Sequence, residues 1–226
     1  MGARDGTLTS VQLRTPRAAG IAGIVFSVLI IVIFWLFRTT VPADPFESGS
    51  WLASDPRNAA IALNLIPFAG AAFLWFIGVI RDRLGASEDR FFATVFLGSA
   101  LLFLAMLFCS AAVLGAVILA AISASANELV NSTTFRFARS LAYVIMNVYA
   151  LKMAGIFMIS TSTVIIWTRI VPRWIAMIGV ALALFLMIGS YYISWSIVVF
   201  PAWVFLISVY IVVDNLWRPK EKALER

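Results

Sequence analysis

FFATVFLGSALLFLAMLFCSAAVLGAVILAAI, residues Phe91–Ile122, runs for 32 residues without one charged side chain. A helix rises about 1.5 Å per residue and the hydrocarbon core of a bilayer is about 30 Å thick, so about 20 such residues cross it. Hydrocarbon offers backbone N–H and C=O groups no water, and a helix satisfies them within one segment. The run therefore predicts a transmembrane helix. At about 48 Å it is long enough either to tilt and project from the membrane or to end in a turn that is already loop.

Five further apolar runs flank it: Ala19–Phe37, Ala59–Ile80, Leu141–Trp167, Trp174–Tyr192 and Ser194–Val213. The alternating strands of about ten residues that build a membrane barrel are absent. The expected fold is all-α, a polytopic bundle of six spans. Residues 1–18 form an N-terminal segment, 19–213 the membrane domain and 214–226 a tail. Hydrophobic residues make up 62% and charged residues 12%, against about 45–50% and about 25% in soluble domains. The longest loops, Arg38–Asn58 and Ser123–Ser140, leave no room for a second domain. The first run has 19 residues, longer than the 7–15 of a cleavable signal segment, so it is expected to stay as a helix.

Charge sets the orientation. With the first end on the cytoplasmic side and the sides alternating, that side holds Arg4, Arg14, Arg17, Arg81, Arg83, Arg90, Arg169, Arg173, Arg218, Lys220, Lys222 and Arg226. The opposite side holds Arg38, Arg57, Arg136 and Arg139. Twelve against four predicts both termini cytoplasmic and an even number of spans, because short cytoplasmic loops retain Lys and Arg. Gly85 and Ser87 are placed to end one helix and cap the next. Pro172 suits the first turn of the fifth helix. Trp167, Trp174 and Trp217 mark headgroup depth. The uncharged block Trp174–Val213 must fold back, and Gly189-Ser190-Tyr191-Tyr192 is the place.

The composition closes off several functions. The chain has no histidine and a single cysteine, Cys109, inside the third run. Haem, most zinc chemistry, the commonest general base and an internal disulfide all lack their residues. No nucleophile elbow, metalloprotease helix, phosphate-binding glycine loop or carboxylate pair occurs, so no catalytic residue, cofactor or metal is expected. The net charge of +6 sits at helix ends, without the interleaved aromatics that bind nucleic acid.

Polar residues inside the runs are the candidates for function. Lys152 lies 11 residues after Leu141, about 16 Å along its helix. A charged lysine at a helix centre costs about 2.5–3.5 kcal/mol on insertion scales, and its stem reaches only about 6 Å toward water. Tyr149, Gly155 and Thr163 fall on the same face of a helical wheel, a stripe expected to look inward. Asn64 and Asn147 belong to the same half of the membrane. Two readings stay open. Lys152 with Asn64, Tyr149, Thr163 and Asn147 forms an anion or proton site in a solute pathway, or these groups bond backbone and one another to fix helix packing. The hydroxyls of Ser160-Thr161-Ser162-Thr163 are expected to bond carbonyls one turn earlier. Pro67 and Pro201 are expected to interrupt the second and sixth helices. Gly20, Gly23, Gly70 and Gly78 are expected to let helices approach closely. Asn131-Ser132-Thr133 matches a glycosylation acceptor.

The stretch Leu63-Asn64-Leu65-Ile66-Pro67-Phe68-Ala69-Gly70 through Phe76-Ile77-Gly78-Val79-Ile80-Arg81-Asp82-Arg83, then Glu88-Asp89-Arg90-Phe91-Phe92-Ala93-Thr94, is similar to small multi-pass membrane proteins, mainly actinobacterial, that carry no assigned activity. The resemblance covers the second and third helices and implies a bacterial plasma membrane. From the residues themselves, the expected function is a non-enzymatic accessory, assembly or regulatory membrane component. Its partners would be the lipid bilayer and other membrane subunits or a second copy. The alternative is a small-solute or ion transporter built around Lys152.

Overall fold

The computed structural model describes residues 16–42, 51–52, 56–84, 90–123, 129–168, 172–190, 193 and 195–224. Among these, every regular element is helical. The elements are α1 (Pro16–Thr40), α2 (Arg57–Leu84), α3 (Arg90–Ser123), α4 (Thr133–Val144, continued by a π-helical turn Ile145–Ala150 and by Leu151–Thr168), α5 (Arg173–Gly189) and α6 (Val199–Leu224), the last preceded by a 3₁₀ turn Ser196–Val198. Five helices are long and apolar enough to cross a membrane: α1, α2, α3, α4 and α6. The fifth, at 17 residues, is shorter, about 25 Å.

Several helix ends differ from the sequence expectation. The third helix is continuous over Arg90–Ser123, so the last turn of the long run is helix and not loop. The fourth begins at Thr133, eight residues before Leu141, because Ser132 caps it. The Ser132 Oγ accepts from the Phe135 N–H at 3.1 Å and donates to the Leu129 carbonyl at 2.6 Å. Asn131-Ser132-Thr133 is thus a helix start, and half of the expected Ser123–Ser140 loop is helix. Pro201 lies in the first turn of α6, where an N–H has no helical partner to lose, so it does not interrupt that helix. Pro67 does lie within α2. The segment after Asp214 is helical to Leu224. Pro172 stands at the N-cap of α5. The expected Gly85/Ser87 turn lies outside the described residues.

The first helix packs against α2 and α6, α2 against α3, α3 against α4, and α4 against α5. The centre is filled by phenylalanine. Phe73 of α2 lies 4.6 Å from Phe26 of α1, 5.5 Å from Phe103 of α3, 5.4 Å from Phe157 of α4 and 5.6 Å from Phe200 of α6, centroid to centroid. Most of these pairs are edge-to-face, the arrangement the ring quadrupole favours. Close approach at the α1 seam depends on glycine. A Cβ on Gly23 would run into the Ser208 Oγ and come within 2.7 Å of the Phe76 ring, and one on Gly20 would meet the Ser208 carbonyl at 2.9 Å. Gly70 is likewise covered, by Phe108, whereas Gly78 faces open space.

The outer surface is as oily as the inside. Trp35, Phe68, Trp75, Leu119, Trp167, Met177 and Ile188 are all exposed. Apolar cover on this scale is foreign to water-soluble monomers and is what contact with lipid chains requires.

Candidate functional site

Where α1 ends and α4 begins, the packing opens into a cleft of about 190 Å³. Its body is aliphatic: Ile30 and Ile33 of α1, Ile66 of α2, Leu107 and Leu114 of α3 and Met146 of α4 line it. Polar groups gather at the other end and along α4, namely Arg38, Arg139, Tyr143, Asn147 and Ser110. Among the described residues that line it, none is acidic.

Each polar group is held by its own element. Arg38, in the last turn of α1, has its guanidinium carbon 5.1 Å from the centre of the Phe34 ring and 5.3 Å from that of Trp195. The two rings meet edge to face at 5.5 Å. This is a cation–π clamp, and it places a positive charge at the helix C-terminus, where the macrodipole favours one. Arg139 sits two turns into α4 and is only 4% exposed. Its Nη2 donates to the Pro42 carbonyl at 3.3 Å, tying the end of α1 to α4. Ser110 Oγ donates to the Ala142 carbonyl at 2.9 Å and so links α3 to α4.

The π turn lies beside the cleft. The Leu151 N–H reaches the Met146 carbonyl, five residues back, and Asn147 Nδ2 donates to the Tyr143 carbonyl at 3.1 Å. Such a turn widens the helix locally and is frequent at functional sites. It presents Met146 and Asn147 to the cleft.

The residues singled out from sequence are not brought together. Only Asn147 lines the cleft. Asn64 is exposed and donates to the Ala60 carbonyl of its own helix at 2.9 Å. Thr163 donates to the Ile159 carbonyl at 2.9 Å. Ser160 and Thr161 bond back to Ile156 and Phe157 at 3.0 and 2.7 Å, as expected of such hydroxyls. The stripe through Lys152 does not look inward. Lys152 is exposed, as is Tyr149, while Gly155 is buried against Met187 and Ala183 of α5. A helical wheel gives azimuth but not which neighbour covers it. Arg139 is the residue sequence reading missed, because it was assigned to a loop. The signal was available in Ser132, a good N-cap, followed by Phe135, Arg139 and Ala142, all on one buried face.

The class of molecule is now defined: an all-helical bundle, oily within and without, with a closed aromatic centre and an arginine-ended cleft. No family model, curated protein or solved structure matches the chain.

Proposed function

We propose that this chain is a non-enzymatic component of a bacterial plasma membrane, crossing it six times with both ends cytoplasmic, and that it works by binding another membrane helix. Support for six spans comes from α5, whose Trp174, Met177, Ile178, Leu184 and Ile188 are exposed. At about 25 Å it is short for a hydrocarbon core of about 30 Å, a mismatch that local thinning accommodates at modest cost. The observation that carries the reading is Lys152. It stands exposed with Tyr149 on the outer face of α4, between Leu141 and Trp167, where an unpaired ammonium is costly. A carboxylate on a neighbouring transmembrane helix removes that cost. The phenylalanine centre, with Phe73 and Phe157 fully buried, leaves the bundle axis closed and speaks against a solute pathway through Lys152.

The experiment is crosslinking in native membranes through a photoreactive residue at Tyr149. A discrete adduct that disappears in Lys152→Met supports the reading. Crosslinks to lipid alone, with Lys152→Met changing nothing, overturn it. Reporter fusions at the two ends test the orientation, and ends on opposite faces would refute it.

A further inference from the structure

We propose that the cleft between α1, α3 and α4 binds one uncharged lipid, its oxygen-bearing head on Tyr143 and Asn147 and its chain along Ile30, Ile33 and Leu107. Lys152 is not among the lining residues, so this site stands independently of the docking reading.

Two hydrogen-bonding side chains of α4 carry the argument. Tyr143 and Asn147 are one helical turn apart, both are half-buried, and both line the cleft. One amide hydrogen of Asn147 is spent on the Tyr143 carbonyl. Its second amide hydrogen, its Oδ1 and the Tyr143 hydroxyl have no partner among the described residues. Hydrocarbon supplies no water to such groups, and they are costly to leave unpaired there. The π turn Ile145–Ala150 widens α4 at this level and presents Asn147 to the cleft, a placement frequent at functional sites.

Depth selects an uncharged head. Asn147 lies about two turns inward from Arg139, about 12 Å along α4, whereas phosphate heads stay in the polar layer outside the hydrocarbon core. A carbonyl or hydroxyl can sit at that depth when it is hydrogen-bonded there. Asn147 serves either one, because a carboxamide both donates and accepts. Neither Arg38 nor Arg139, at the outer end, enters the contact. The walls then call for a chain. Among the described residues α1 packs along α2 and α6 and scarcely meets α3 or α4, and the gap is lined by Ile30, Ile33 and Leu107, an apolar surface that water does not satisfy. At about 190 Å³ the cleft is smaller than the roughly 300–1,000 Å³ that encloses a drug-sized ligand. It therefore takes the head and the first part of one chain, with the rest of the lipid remaining in the bilayer. An isoprenoid quinone, with a carbonyl head, and a diacylglycerol, with a hydroxyl head, share this chemistry.

The test reconstitutes the full chain in phosphatidylcholine and adds decylbenzoquinone, dioleoylglycerol, phosphatidylglycerol or hexadecane, the last an apolar chain without oxygen. Retention is read by native mass spectrometry and Tm by thermal melting. One quinone or one diacylglycerol is expected to stay with each chain and to raise Tm, and the ratio of the two tells the sources apart. Tyr143→Phe and Asn147→Leu should each weaken retention about fivefold, the ratio that one lost hydrogen bond gives. Ala111→Phe, which narrows the cleft from α3, should abolish retention and keeps the test decisive if Asn147→Leu does not fold. Retention of neither uncharged lipid overturns the proposal, as does unchanged retention in both Tyr143→Phe and Asn147→Leu. Equal retention of hexadecane would mark an unselective apolar gap, and stronger retention of phosphatidylglycerol an anion site; either result overturns it.

Discussion

Arg139 and Pro42 are 97 residues apart in sequence, yet the arginine's Nη2 donates to the proline's carbonyl at 3.3 Å. The bond crosses from the start of α4 to the chain leaving α1, and it holds one edge of the cleft in place. Hydrogen bonds to charged groups contribute about 1.5–3 kcal/mol. Arg139→Met is expected to cost that much in a neutral detergent. Arg139→Lys should recover only part of it, since an ammonium lacks the planar fork. Thermal melting of the purified variants measures both.

Phe73 meets phenylalanines from four other helices and is fully buried. Phe73→Ala should destabilise the bundle by about 3–5 kcal/mol, through lost contact and an unfilled cavity. Trp75, two residues on, is 75% exposed. Trp75→Ala should shift the detergent unfolding midpoint by a small fraction of that, although it deletes a larger side chain. Equal effects would mean that the aromatic centre does not organise the fold.

Gly23 and Gly78 make a matched pair. Ala at 23 would collide with Ser208 and the Phe76 ring, while Ala at 78 would meet nothing within 4 Å. Gly23→Ala is expected to cost about 1–3 kcal/mol by forcing α1 away from α6. Gly78→Ala should be stabilising by about 0.5–1 kcal/mol from the helix backbone alone. Opposite signs in chemical denaturation are the expected result.

Cys109 is exposed on α3, inside the uncharged run Phe91–Ile122. On the membrane reading this exposed face lies in hydrocarbon, which a charged reagent does not enter. A membrane-impermeant charged maleimide should leave it unmodified in intact membranes and label it fully after denaturation in detergent. Rapid labelling without denaturation would place this face of α3 against water.

Much of the architecture was legible beforehand. Each apolar run is a local property, and hydrocarbon enforces helix wherever such a run is long enough, so the helical segments could be placed from residues alone. Their ends were less legible. Thr133–Leu141 carries Arg136 and Arg139 and reads as loop by hydropathy, although Ser132 signals a helix start. The back-bonding of Ser160, Thr161 and Thr163 was also readable, because it involves one helix and no neighbour. The candidate site was not. Lys152 attracted notice for its charge, but whether it points inward depends on where α5 and α3 lie against α4.

From composition and order alone came the apolar runs and the helices they form, which follow from free energies of transfer that each segment carries by itself. Packing alone settled that Arg139 is buried, that Lys152 is not, that a π turn opens beside a cleft, and that five phenylalanines close the centre. Those outcomes depend on which surfaces of different helices meet, and a periodicity read along one helix contains no information about its neighbours.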